Sequence, residues 1–532
     1  MAEAGGLLDK RRTIARAGFN RWLVPPCALA IHLCIGMAYG FSVFWLPLSR
    51  AIGIDAPAAC PGLTLADAVT TTRCDWRVSD LTWTYSLFFV VLGASAAIWG
   101  GWLERAGPRR AGVVAACCWA GGIAIGAIGV ALHQLWLLWL GTGLIGGIGL
   151  GIGYIAPVST LIKWFPDRRG LATGMAIMGF GGGAMIGSPL ADILMRHFAA
   201  AGDVGVWQTF LVLAGLYLVF MGGGAFGFRV PPEGWAPAGR AAPAALGRFN
   251  VALSDAHRTP QFWAIWLVLL LNVSASIGII GIASPMVQEI FGGRLFGRPD
   301  MAFAEFGPAE TALAAAAGAG FVGFVSLFNI GGRFFWASIS DRLGRRTTYA
   351  AMLALGALLY GLVLPWAAGA AALVPFALAF ALVASLYGGG FATVPAYLAD
   401  VFGTRFVGAI HGRLLTAWSL AGVLGPLIVT SARDAAIAAG SDRATLYPPI
   451  FWALAALLAV GFVANLFVRP VGERFHMAEV AIDPADDGGV AAGAGIDGGR
   501  LDAATIAAWA VVGVPLLWGV WMTLAKVAAL FA

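Results

Sequence analysis

Charge is what this sequence has least of. Only 11% of its 532 residues are Asp, Glu, Lys or Arg, against about one quarter in soluble proteins, while 60% are hydrophobic. That balance excludes an ordinary soluble domain. A nucleic-acid partner is excluded too: the net charge is +6, but the arginines are scattered between apolar stretches, as a topology signal would be. The 6 cysteines and 6 histidines show no metal-ligand spacing, so no metal or cofactor is expected. No nucleophile–base pair or paired carboxylates lie within the apolar stretches, which leaves an enzyme without support. The glycine runs Gly149-x-Gly151-x-Gly153 and Gly179–Gly183 lack the strand and helix start of a phosphate loop and serve packing. No cleavable leader is evident either. Lys10, Arg11 and Arg12 precede an apolar stretch too long for a signal segment. Cys27, Cys34, Cys117 and Cys118 sit in apolar spans, whereas Cys60 and Cys74 share one polar loop and can pair if it faces an oxidising compartment.

What is present is length of apolar run. Thirteen stretches can cross a bilayer as helices, because lipid offers backbone groups no water. The boundaries give a first six-helix bundle over 1–228, a Pro- and Ala-rich cytoplasmic linker over 229–260, and a second bundle over 261–470. A linker and a thirteenth span fill 471–532. Basic residues concentrate in alternate turns, which places the amino terminus in the cytoplasm. The halves repeat. The turn Glu104-Arg105-Ala-Gly107-Pro108-Arg109-Arg110 recurs as Asp341-Arg342-Leu-Gly344-Arg345-Arg346, offset by 237 residues, and Pro189 recurs as Pro426 at the same offset. Two related six-helix units imply alternating access around a central site.

Arg333 stands eight residues before Asp341, roughly 12 Å along a helix, and therefore near the bilayer midplane. A guanidinium there costs about 2.5–3.5 kcal/mol and needs a cavity, a partner or a charged ligand. Its planar fork suits a carboxylate. Asn329, one turn earlier, shares its face. A structural arginine tied to carbonyls is the plain alternative. His411 and Trp418, seven apart, share a face; His411 offers a second, pH-dependent positive charge and Trp418 a wall. Tyr154 and Tyr387 lie in glycine-rich contexts where a hydroxyl can be aimed at an anion, Tyr39 is a weaker candidate, and His32 is structural.

The two acidic–basic turns resemble the signature loop of the major facilitator superfamily over residues 20–470, although the first copy has Glu104 where aspartate is usual and Pro108 where a basic residue is commoner. The stretches Ile35 to Phe44, Asn329-x-x-x-Arg333 and Phe402 to Trp418 resemble, more narrowly, the oxalate/formate antiporter family, itself similar to monocarboxylate transporters. The resemblance implies an all-α membrane protein of the major facilitator fold, two six-helix repeats about a pseudo-two-fold axis, with a thirteenth transmembrane helix. It implies that Arg333 binds the carboxylate. Trp418 stands where oxalate exchangers carry a lysine, which points away from a dicarboxylate. Asn329 stands where proton-coupled monocarboxylate carriers hold an aspartate.

The expectation is a monomeric secondary transporter of a small monocarboxylate (lactate, pyruvate or formate), working by proton symport or anion exchange in a bacterial inner membrane. Its substrate residues are Arg333, Asn329, His411, Tyr154, Tyr387, Trp418 and Tyr39. Its gating residues are Glu104, Arg105, Arg109, Asp341, Arg342, Arg345 and Arg405. The alternatives are oxalate/formate exchange and, from another class, a transporter-like sensor or channel.

Overall fold

In a bilayer core each backbone amide must bond within its own helix, and the apolar stretches do so. The computed structural model describes residues 6–53, 58, 60, 64–199, 203–232, 235, 237, 249–295, 297–298, 301, 305–441, 445–477 and 502–531. The expected linker stretches 238–248 and 478–501 lie outside the described residues. Among the described residues, thirteen helices are long and apolar enough to span a membrane. The first half holds α1 (Arg21–Phe44), α2 (Val78–Ala106), α3 (Pro108–Ala131), α4 (Leu135–Trp164), α5 (Arg169–Phe198) and α6 (Val206–Gly227). The second holds α7 (Pro260–Ile280), α8 (Pro308–Leu343), α9 (Arg345–Gly369), α10 (Leu373–Phe402), α11 (Val407–Ile437) and α12 (Tyr447–Leu466), followed by α13 (Ala503–Phe531). Large apolar side chains such as Ile98, Leu362 and Trp521 face outward, as lipid contact requires.

The repeat is visible in the backbone. Gly107 and Gly344 close the turns after α2 and α8 with φ of 83° and 82°, a left-handed region that glycine enters without a Cβ clash. Among the described residues the only β pairings are the bridges Ile14↔Val230 and Val251↔His476, one tying down the ends of each half. Ile14 and Val251 are again 237 apart.

Helices α4 and α9 widen to i→i+5 winding over Trp139–Ile145 and Leu359–Val363, and three more spans depart from uniform winding. Helix α1 is α-helical over Val24–Ile35 and tightens to i→i+3 winding over Gly36–Phe44, a change that often marks a hinge. Helix α11 is interrupted at Leu415, between Val407–Leu414 and Thr416–Ala438. The expected seventh span, 261–290, turns after Ile280 and resumes as Ala283–Leu295.

Helix α13 packs on α1 and α5 of the first half and on α8 of the second. The Asn20 amide donates to the Thr505 hydroxyl (2.9 Å), the Trp509 indole donates to the Trp22 carbonyl (3.2 Å), and Val512 is buried with Leu29 and Ala30. It therefore lies along the seam between the halves.

On the face opposite the amino terminus, Cys60 and Cys74 form a disulfide. Beside it the Asp75 carboxylate accepts from the backbone N–H groups of Ile52 (2.9 Å), Gly53 (3.1 Å) and Ala58 (2.8 Å). Burial alone would raise this carboxyl, but the three donors outweigh it and hold the pKa below its ordinary 3.8. A depressed carboxyl stabilises the fold above its unfolded pKa and ceases to do so as pH falls through the folded value. We predict that Asp75→Asn lowers the melting temperature at pH 7, and that the gap from the parent closes below the ordinary carboxylate range. An equal gap at every pH would refute the charge-based account.

Candidate functional site

Helix α10 approaches α8 closely because Gly388 has no side chain; a Cβ there would strike the Asn329 carbonyl oxygen. That contact fixes Asn329, whose amide donates to the Ala384 carbonyl (3.1 Å) while its Oδ1 accepts from Arg333 Nε (3.1 Å). Arg333 Nη1 reaches across to α5 and donates to the Ile177 carbonyl (3.2 Å). Its Nη2 is buried without a hydrogen-bond partner, and the side chain is 1% exposed. Two of the three donor groups are thus held by protein and one is left over. Burying such a donor costs more than pairing it gains, so the third is the conspicuous one. Among the described residues Arg333 makes no ion pair. A buried carboxylate does exist in the second half, Glu289, but Arg433 and Tyr447 bind it.

Around the guanidinium stand aromatic rings. Arg333 Cζ lies 6.0 Å from the Phe180 centroid and 5.9 Å from that of Phe391, within cation–π range. Both rings also pack on Trp418, at 5.6 Å and 4.6 Å. Trp418 in turn lies 5.4 Å from Tyr154, and Tyr154 lies 5.8 Å from His411. Tyr39 touches Trp418 at 6.4 Å and shares a hydroxyl contact of 3.3 Å with Tyr387. All seven expected substrate residues therefore fall in one cluster, drawn from α1, α4, α8, α10 and α11. Three more buried polar atoms here lack partners: the Tyr154 hydroxyl, Trp418 Nε1 and His411 Nδ1. Arg413 is absent from the cluster, donating instead to the Leu253 carbonyl and facing His257 Nδ1, each at 2.8 Å.

The amino-terminal face closes over this cluster through two related carboxylates. Asp341 accepts from the first backbone N–H groups of α5, Gly170 (2.8 Å) and Leu171 (2.9 Å), and pairs with Arg345. A carboxylate at a helix start meets both unpaired donors and the positive end of the dipole. Gly170 permits the approach, since a Cβ there would collide with the Ala337 carbonyl oxygen. Glu104 accepts from the N–H of Gly408 in α11 (3.2 Å), from Ser159 (2.9 Å) and from Lys163 (2.6 Å). Asp400 joins Arg169 of the first half (3.0 Å) to Arg345 of the second (3.3 Å).

Four of the seven residues expected to gate stand outside these contacts between the halves. Arg105, Arg342 and Arg405 are exposed and take no part in these contacts, because their positions on the turns face solvent. Arg109 is buried but stays within its own half, donating to the Leu7 carbonyl (3.1 Å). Sequence reasoning missed Lys163, Arg169 and Asp400, and it missed Phe180 and Phe391.

Residues 28–426 match the profile of the Major Facilitator Superfamily. The oxalate:formate antiporter of Oxalobacter formigenes is 27% identical over 470 residues, covering 86% of this chain and 95% of that protein. Apicoplast pyruvate carrier 1 of Toxoplasma gondii is 26% identical over 446 residues, covering 72% and 78%. Among solved structures, the E. coli fucose:proton symporter FucP superimposes with a TM-score of 0.58 at 14% identity, over 85% of this chain and 100% of FucP. The human organic anion transporter TETRAN does so at 0.54 and 16%, over 86% and 99%.

Proposed function

The chain belongs to the major facilitator superfamily, a family of transporters and not of enzymes, and from that premise we propose that it carries a small monocarboxylate by alternating access. The observation that carries the reading is the unpartnered Arg333 Nη2, buried among aromatic rings at the contact between the halves. A carboxylate on Nη2 would neutralise the guanidinium and give the Tyr154 hydroxyl and Trp418 Nε1 an acceptor. The rings would enclose the small remainder of lactate or pyruvate, or the lone hydrogen of formate. The anion would leave water for a site that already holds a buried cation, and the two would cross as a neutral pair. A single cation in the cluster favours one carboxylate over two. Oxalate would need a second cation; Arg413, on the same helix as His411, is engaged by Leu253 and His257, which leaves His411.

In this reading the protein is a monomer in a bacterial inner membrane with its amino terminus in the cytoplasm. The closed amino-terminal face is then the cytoplasmic gate, and bundles 1–228 and 261–470 rock about Arg333. A thermal-shift screen of the purified protein tests it. A ligand at 100 times its Kd stabilises by about 2.7 kcal/mol. Pyruvate, lactate or formate is expected to raise the melting temperature of the parent and not of Arg333→Ala. A shift given by oxalate alone, with oxalate-loaded vesicles exchanging for external formate, would favour the dicarboxylate exchange reading instead.

A further inference from the structure

His32, in the α-helical part of α1, is fully buried, and each of its ring nitrogens meets a carbonyl oxygen. Nδ1 lies 2.6 Å from the Ala176 carbonyl of α5, and Nε2 lies 3.1 Å from the Tyr154 carbonyl of α4. A neutral imidazole donates from one nitrogen only and would turn the lone pair of the other toward an acceptor. Only the imidazolium satisfies both. A core histidine placed for packing needs one donor and one acceptor, and this site supplies two acceptors.

The neighbourhood ties the ring to Arg333. Ala176 and Ile177 are consecutive on α5; His32 binds the carbonyl of the first and Arg333 that of the second. Phe180, one turn on, packs against both, at 6.4 Å from the His32 ring and 6.0 Å from Arg333 Cζ. The titratable and charged groups that face His32 from the helices around it are Tyr154 of α4, stacked at 5.3 Å, Arg333 of α8 and His411 of α11. Helix α5 presents carbonyls and Phe180. No carboxylate is among these groups, so in the absence of cargo the Arg333 charge opposes a second cation beside it.

We propose that His32 is the proton-binding residue of a proton–carboxylate symport, loaded when an anionic cargo neutralises Arg333. This rests on the carboxylate reading above and narrows it from symport or exchange to symport. The shorter contact places the resting hydrogen on Nδ1, donated to the Ala176 carbonyl. The incoming proton, from water on the open side of the bundle, is taken by the Nε2 lone pair and then donated to the Tyr154 carbonyl. It leaves from Nε2 on the other side when the carboxylate departs. One proton and one anion cross together. His411 is the less suited of the two histidines, since its Nδ1 has no acceptor.

The test uses the full chain in proteoliposomes loaded with the pH dye pyranine, with labelled pyruvate as cargo. The parent is expected to admit protons with pyruvate at a fixed ratio. His32→Gln cannot carry the proton, so pyruvate accumulation driven by a pH gradient and the matching dye signal should fall at least about 10-fold, while pyruvate counterflow stays within about 3-fold. Proton-coupled accumulation retained by His32→Gln would overturn the proposal. So would equal loss of counterflow and coupling in a correctly inserted variant, since that is what a packing role produces. Parent protein that moves pyruvate with no proton entry overturns it without any variant. Parent protein that shows no counterflow of any small monocarboxylate strikes at the carboxylate reading itself.

Discussion

Arg333→Ala should abolish carboxylate uptake while the protein still inserts, folds and elutes as the parent does. Removing one partner of a buried, hydrogen-bonded charge pair costs about 2–5 kcal/mol, or roughly 30-fold to several thousand-fold in affinity. The fold should tolerate the loss, because the guanidinium is held by Asn329 and Ile177, with the Tyr39 hydroxyl beside it, and buries an unpaired Nη2 in return. Arg333→Lys separates charge from geometry. A lysine keeps the cation but cannot make the planar two-point contact, so it should recover only a small part of the uptake. Counterflow of labelled pyruvate reads both variants. Uptake by Arg333→Ala at even one tenth of the parent rate would show that the guanidinium is a structural tie between α5 and α8.

The second large effect is expected at the closed face. Asp341→Asn removes the charge that two α5 amide donors and Arg345 share. Hydrogen bonds to a charged group contribute about 1.5–3 kcal/mol each, discounted here because Asp341 keeps 16% of its side chain exposed. A net loss near 1.4 kcal/mol would shift the balance between closed and open faces about tenfold. Transport should fall, and a cysteine placed near Gly174, where α5 meets the Arg333 backbone, should react faster with a thiol reagent from the amino-terminal side. Glu104→Gln should be milder: Glu104 makes a single bond to the opposite half, against two for Asp341. Unchanged labelling in Asp341→Asn would mean that these carboxylates hold each half together instead of holding the halves to each other.

The spans, the repeat and the pairing of Asn329 with Arg333 were legible because each is a local pattern: apolar length, a fixed offset, one helical turn. The contacts between helices were not, since they depend on how far one helix slides along another. Phe180 and Phe391 look like any core phenylalanine until α5 and α10 are placed against α11. One contact between helices does leave a trace in the sequence. Pro108 stands where the second repeat has Arg345, so Glu104 needed a counter-ion from elsewhere; Lys163, 237 residues before Asp400, supplies it. Position 163/400 thus carries a cation in the first copy and an anion in the second: Lys163 pairs with Glu104, whereas Asp400 pairs with Arg345. An isolated histidine in an apolar helix is usually structural, and nothing near His32 in the sequence sets it apart. Its two carbonyl partners belong to α4 and α5, more than 120 residues away.

A structure of the protein determined with pyruvate bound tests the central claim most directly. The account predicts carboxylate oxygens within hydrogen-bonding distance of Arg333 Nη2, with Trp418 and Tyr154 closing over the rest of the molecule. Pyruvate seated elsewhere, with Arg333 still held only by Asn329 and Ile177, would contradict it.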